Sequence, residues 1–550
     1  MVKGLLAFMT REIRGLHEAA YLLALFTLLS QILALVRARA FAHFFGAGPT
    51  LDAYFAAFRV PDTVFAILTL FVSAYALVPM IAERGGVGSR SARSLIGSVL
   101  IVFGIAASII AVVLYACAPL IIPRLFPGFS DPVIAQVVLL SRIMLVQPIL
   151  LGLSSIVAAI VQASRQFFLY ALAPIFYNLG IIAGVLFLYP AFGIVGLAWG
   201  VVLGAVMHLV VQLIPLAVSG GASFPLFTLE SVDEVWHTAR LSLPRSLALA
   251  ANQILLLAFA SVATLVAAGA VSVVQFAYNL QSVILSVIGV SYASALFPAL
   301  SQLFSNNEHE RFRDETWAGL RHVAFWTLPA VTFIVVLRAH IVRIILGSGA
   351  FDWNDTRLTA AVLAAFALSL VAQSALLIFS RAYYAAHKSW APIVINVFAA
   401  LTAGILALVG VQWFKTAGIA RTFVEELFRL SGVPGTDVLM IPLAYSVVYL
   451  VAGLIFAILF ARTFGYDKRV TQTIASSLTA SLVGAAACYS VLQITGPELP
   501  TKTFFGILAQ GALGGVVGTL VWGFMLRFLK SVELAETVSI VAAKFKKKTI

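Results

Sequence analysis

Runs of about 20 apolar residues recur along this chain, and most of its charged residues lie between them. A run of that length crosses hydrocarbon as a helix, because a lipid-exposed backbone must satisfy its polar groups within the segment. About fourteen such runs are present, near 20–44, 51–82, 95–122, 133–162, 168–189, 193–217, 241–266, 271–303, 322–346, 358–385, 391–412, 440–461, 471–495 and 503–528. Hydrophobic residues make up 62% of the 550 and charged residues only 10%. A soluble domain carries about 25% charged residues, so a polytopic membrane protein is the class that fits.

The formal net charge of +13 could suggest nucleic acid, but its placement favours loops that obey the positive-inside rule. With the N-terminus inside, the inner segments hold Lys3, Arg11 and Arg14; Arg84, Arg90 and Arg93; Arg165; Arg311, Arg313 and Arg321; Arg381 and Lys388; and Arg462, Lys468 and Arg469. The outer turns at 45–50, 190–192 and 267–270 carry no Lys or Arg. The loop at 413–439 departs from the rule, with Lys415, Arg421 and Arg429 set against Glu425, Glu426 and Asp437, and is expected to hold a surface helix. An even number of spans places both termini in the cytoplasm. Residues 1–18 read as an interfacial or disordered lead with no cleavable signal, and 531–550 as a basic tail drawn to anionic headgroups. Cys117 and Cys488 sit in apolar runs and indicate neither a disulfide framework nor a metal site.

The chain repeats itself. Gly48 with Phe55-Ala56 recurs as Gly269 with Phe276-Ala277, a shift of 221. Ala76-Leu77-Val78-Pro79 recurs as Ala295-Leu296-Phe297-Pro298, a shift of 219, and Ala173-Pro174-Ile175 with Asn178 recurs as Ala391-Pro392-Ile393 with Asn396, a shift of 218. The offset spans six helices, an even number, so the two halves share one orientation. The expected fold is an all-α integral membrane protein. It has two six-helix lobes in parallel repeat (19–218 and 236–463), followed by a helix pair (471–530).

Charges inside the spans are the candidate site, because a central Arg costs roughly 2.5–3.5 kcal/mol and normally faces a wet cavity or a partner. Arg37, Arg39, His43, Asp52 and Arg59 cluster in the first two runs. Arg37 and Arg59 either contact an anionic passenger or snorkel and pair with Asp52 or Asp62. Arg39 and His43 are four apart and share a helix face; His43 reads as packed or interfacial more readily than as a proton relay. Asp52 either binds a coupling cation or proton or caps a helix start. Arg245 follows Pro244 and either faces cargo or reflects inner-leaflet bias, while Arg142 reads as wall or inter-helix pairing as well as a substrate candidate. Gln31, Asn252, Gln253, Gln275, Asn279 and Gln281 give polar lining that suits sugar or peptide groups, or ordinary inter-helix hydrogen bonds. No P-loop, H-E-x-x-H or G-x-S-x-G is present, so neither nucleotide-driven transport nor enzymatic catalysis is expected.

Six stretches carry a family resemblance: SQILALVRARAFAHFFGAG with LDAYFAAFRVPD, LSRIMLVQPILLGLSSIVAAIVQASRQF, ALAPIFYNLGIIAG, GIVGLAWGVVLGAVMHLVVQL and LPRSLALAANQ. They resemble the MurJ/MviN family of lipid II flippases, within the multidrug/oligosaccharidyl-lipid/polysaccharide exporter superfamily. The resemblance implies two lobes around a central cavity and a terminal helix pair forming a groove for the lipid tail. It implies alternating access at the bacterial cytoplasmic membrane, with a lipid-linked cell-wall precursor and membrane lipids as partners. Cell-wall synthesis proteins are further candidate partners. No cofactor is implied beyond coupling to a cation or the membrane potential. Arg37 aligns with the second Arg of the opening motif. The sequence departs from the family where many members carry Arg and this chain has Gln31, where they carry Glu-Gly-Ala and this chain has Leu70-Phe71-Val72, and where they carry Asp-Arg and this chain has Tyr278-Asn279. Those departures keep three alternatives open: another polyprenyl-linked glycan, a drug or cation as cargo, or a non-transporting scaffold for envelope assembly.

Overall fold

A computed structural model describes residues 16–72, 74–218, 232–496 and 503–546, together with 12, 225, 226 and 228. The tip of the basic tail and most of the N-terminal lead lie outside the described residues, and so does the side chain of Arg245. Two compact units emerge, Met1–Ser272 and Val273–Ile550.

The first unit contains α1 (Leu16–Phe45), α2 (Pro49–Val72), α3 (Ala74–Glu83), α4 (Arg90–Leu125), α5 (Asp131–Met144), α6 (Val146–Ala163), α7 (Phe167–Ala183), α8 (Tyr189–Phe192), α9 (Ile194–Val218) and α10 (Val232–Thr264). The next helix, α11 (Ala270–Leu285), starts at its edge. The repeat places α10 at the head of the second half; the structure groups it with the first unit, where it packs along α2.

The second unit continues with α12 (Ser291–Ser305), α13 (His309–Ile345), α14 (Trp353–Ala367), α15 (Leu370–Ala385), α16 (Trp390–Thr416), α17 (Gly418–Phe428), α18 (Met440–Phe464), α19 (Arg469–Thr495), α20 (Phe504–Phe528) and α21 (Val532–Lys546). Among the described residues eleven helices are long and apolar enough to cross a membrane, or twelve if α14 and α15, bent by 41° at their break, form one span. The expected count of fourteen adds α2 with α3, and α10. Helix α2 carries Asp52, Arg59 and Asp62, and the apolar part of α10 covers Ala250–Thr264, so length and composition do not fix that number.

Lipid offers apolar side chains no hydrophobic drive to associate, so close backbone contact holds such helices together. Helix α7 and the π-helical turn that follows it (Gly184–Leu188) meet α9 through Gly180, Gly184, Gly200 and Gly204: a methyl added at Gly200 would stand 2.5 Å from the Cα of Gly184. The GLAWG stretch is thus a packing motif. Helices α19 and α20 use the same device, with a methyl at Gly484 falling 2.8 Å from the carbonyl of Gly518. The repeat is visible in local chemistry too. Asn178 Nδ2 donates to Pro174 O at 3.0 Å, and Asn396 Nδ2 donates to Pro392 O at 2.7 Å.

One end of the second unit is fastened by ions. Arg321 on α13 donates to Asp467 at 2.5 Å and stands 3.5 Å from Glu533 at the start of α21. Glu533 also accepts from Thr473 Oγ1 at 2.6 Å, and His322 reaches Glu536 at 3.2 Å. Burial pushes the Asp467 carboxyl up, but hydrogen bonds from Arg469 and the charge of Arg321 outweigh it and hold the group below its ordinary value. A depressed carboxylate contributes its full stability above its unfolded pKa of about 3.9 and loses it as pH falls through the lower folded value. Arg321→Met should therefore cost about 2 kcal/mol at neutral pH, the scale of a hydrogen bond to a charged group, because Asp467 keeps Arg469 and Glu533 keeps Thr473. Thermal unfolding in detergent from pH 7 down to pH 3 checks this, and the variant should show a shallower acid-side loss than the parent.

Candidate functional site

Helix α2 organises the polar interior of the first unit. Pro61 lacks an N–H and so cannot bond the carbonyl of Ala57 four residues back. Ser141 Oγ on α5 supplies that bond at 3.3 Å. The opened turn carries Arg59 and Asp62 on either side of the proline.

Asp62 is the hub. Its Oδ1 accepts from Gln147 Nε2 of α6 at 3.3 Å, and the charges of Arg59 and of Arg37 from α1 both act on it. Tyr54 and Tyr177 lie within the electrostatic reach of Arg37 and Asp62. With Asp62 ionised, two guanidinium groups and one carboxylate leave one excess positive charge; with it protonated, two. The Tyr177 hydroxyl and Gln147 Oε1 are buried and have no hydrogen-bond partner among the described residues. A buried polar atom costs about 1–3 kcal/mol when unsatisfied. The ring of Tyr177 stands edge-on to His208, with centroids 6.4 Å apart, and His208 Nδ1 is 2.7 Å from Ser154 Oγ.

Of the two carboxylates weighed as partners, Asp62 is the one on which the charges of Arg37 and Arg59 act. Asp52 is engaged elsewhere. Fully buried, it accepts from Gly269 N at 2.6 Å, from Ser272 N at 2.8 Å and from Ser272 Oγ at 2.6 Å. It caps a helix, as one reading had it, but the helix is α11 and not its own. The N–H groups of a first helical turn have no intrahelical acceptor and favour an anion there.

The other candidates separate. Arg142 Nε donates to Tyr115 O at 3.0 Å and its guanidinium lies 4.6 Å from that ring centre, so it joins α5 to α4. His43 is exposed beside the Phe44 ring, as an interfacial residue would be. Arg39 and Gln31 are half-buried on α1; the neighbouring Ser30 takes a bond from Asn178 Nδ2 at 3.4 Å. Asn252 and Gln253 are half-buried on α10, and Gln253 Oε1 lacks a partner among the described residues. In the second unit Gln275 Nε2 donates to Asn279 Oδ1 at 2.7 Å, which is ordinary intrahelical bonding. Gln147, Tyr177, His208 and Ser154 were missed as site residues. Each is a polar residue inside an apolar run, which is the one signal that could have raised them.

The profile described as lipid II flippase MurJ matches residues 41–510. The chain belongs to the MurJ family. A probable lipid II flippase MurJ of Buchnera aphidicola subsp. Acyrthosiphon pisum is 27% identical over 407 residues, covering 72% of this chain and 78% of the relative. The lipid II flippase MurJ of Burkholderia cenocepacia is 25% identical over 394 residues, covering 70% and 76%. A solved lipid II flippase MurJ in an inward closed conformation superposes with a TM-score of 0.72 at 22% identity, covering 92% of this chain and 99% of that one. An inward-facing multidrug resistance transporter of the MATE family gives 0.63 at 17% identity, covering 79% and 95%. At those identities the structural likeness carries the fold: an all-α, multi-pass membrane architecture of the MurJ type, as the sequence leads one to expect.

Proposed function

We propose that this chain translocates lipid II from the inner to the outer leaflet of the bacterial cytoplasmic membrane by alternating access. The family membership carries the cargo class, and the Arg37–Asp62–Arg59 group supplies the chemistry. A diphosphate cannot enter hydrocarbon unescorted, because desolvating its charge is prohibitive. Arginine keeps its charge in a dry setting and offers a planar fork of donors that matches phosphate oxygens. In this reading Arg37 and Arg59 receive the diphosphate, and Asp62 holds them apart and oriented until it arrives. Tyr177 and Gln147 supply neutral polar contacts to the headgroup.

Loop charge supports cytoplasmic termini, and the glycine-packed α19–α20 pair is the proposed path of the polyprenyl tail. Energy comes from a cation gradient or the membrane potential in this proposal, since the sequence has no nucleotide-binding motif. The deciding experiment uses the full chain in vesicles carrying fluorescent lipid II on one leaflet. Transfer to the other leaflet is expected, with little transfer of a polyprenyl-linked glycan that lacks the peptide. Equal transfer of both would widen the cargo class, and lipid II binding without transfer would leave a scaffold.

A further inference from the structure

The exception to the positive-inside rule, the segment 413–439, has a built surface. Helix α16 ends at Thr416, and after Ala417 the chain turns into the eleven-residue α17. Ile419, Phe423 and Leu427 are spaced by four and form one stripe, exposed by 92%, 65% and 63%. On α16, Ile405, Val409 and Trp413 are also exposed. The polar side of α17 is pinned: Arg421 Nε donates to Glu425 at 2.9 Å and Thr436 Oγ1 donates to the same carboxylate at 2.5 Å. The apolar stripe therefore cannot roll inward to bury itself.

Beside it stand arginines of a different kind. Arg429 ends α17 in a left-handed turn and donates Nη2 to Tyr489 Oη of α19 at 2.9 Å. Its carbonyl accepts from Arg357 Nη2 at 2.6 Å. Arg338 of α13, half-buried, lies within electrostatic reach of both Arg429 and Tyr489. Among the described residues no carboxylate lies within ion-pair distance of Arg338 or Arg429. Arg338 Nη1 donates to Val335 O at 2.6 Å, and two guanidinium groups in electrostatic reach of each other with no counter-charge among the described residues call for an anion. Depth agrees: from Arg321 in the ion cluster to Arg338 is 17 residues, about 26 Å of helix, close to the roughly 30 Å of a hydrocarbon core. With Arg321 at the inner headgroup level, Arg338 and Arg429 stand at the outer one.

We propose that this face binds an anionic phospholipid of the outer leaflet, with α17 lying in the interface. Ile419, Phe423 and Leu427 enter the acyl boundary, and Arg338 and Arg429 share the phosphate while Tyr489 orients Arg429. The inference rests on the inside–outside topology above and not on the cargo.

Two measurements on the full chain test it. In nanodiscs of mixed phosphatidylglycerol and phosphatidylcholine, the parent should retain phosphatidylglycerol preferentially on delipidation. The double variant Arg338→Gln with Arg429→Gln should lose that preference by about thirtyfold, at about 1 kcal/mol per basic residue. The exposed single variant Arg429→Gln should lose severalfold and guards against misfolding of the double variant. Unchanged retention in Arg429→Gln overturns the proposal, as does a loss confined to polyprenyl diphosphate. Independently, a spin label at Ile419→Cys in a Cys117→Ser background should collide with oxygen more than with a water-soluble nickel chelate. The reverse order places α17 in water and overturns it as well.

Discussion

Arg37→Ala is expected to cut lipid II translocation by about tenfold to a hundredfold, the equivalent of the roughly 1.5–3 kcal/mol that a charge-assisted hydrogen bond contributes. Its partners say why the loss should fall on function and not on folding. Asp62 keeps Arg59 and Gln147 when Arg37 is removed, so no buried carboxylate is stranded. What vanishes is the excess positive charge, because Arg59 and an ionised Asp62 cancel. Arg37→Lys should recover part of the activity, since it restores the charge but not the two-pronged donor geometry. Complementation of a flippase-depleted strain and transfer in vesicles both read this out, with detergent melting as the folding control. Full complementation by Arg37→Ala would remove Arg37 from the phosphate contact.

Gly200→Leu is the substitution expected to damage the fold most. Gly200 faces Gly184 across the α7–α9 contact, and even a methyl there would overlap the opposing backbone. Backbone cannot rotate away as a side chain can, so the helices must separate and give up the packing along their length. A cost above about 4 kcal/mol is expected, in the range reserved for broken cores. Gly104→Leu is the matched control, because nothing lies within 4 Å of a methyl at that position. Gly200→Leu should yield little monodisperse protein on size exclusion, and Gly104→Leu should elute and melt like the parent.

The membrane class, the repeat and the charged heart of the first unit were all legible in the residues. Charge inside an apolar run is conspicuous, so Arg37 and Arg59 could be picked out one by one. Their grouping was half visible: Asp62 stood two residues beyond Val60 as an evident partner, whereas Gln147 and Tyr177 are uncharged and lie on helices far away in sequence. Arg142 shows the opposite case. A lone Arg within a run reads equally as a site residue or as a link between helices, and its Nε is used on the carbonyl of Tyr115. Asp52 shows a third. Its place near a helix start predicted a local cap, and it caps a helix more than two hundred residues on.

Sequence by itself determined that this chain lives in a bilayer, because hydrocarbon thickness and backbone hydrogen bonding leave a run of apolar residues few other fates. It also marked which charges needed explaining. Only the tertiary structure decided which of them meet. Side-chain pairing depends on which helix faces lie against each other, and in lipid those faces are chosen by small residues such as Gly184 and Gly200, whose close approach hydropathy does not record.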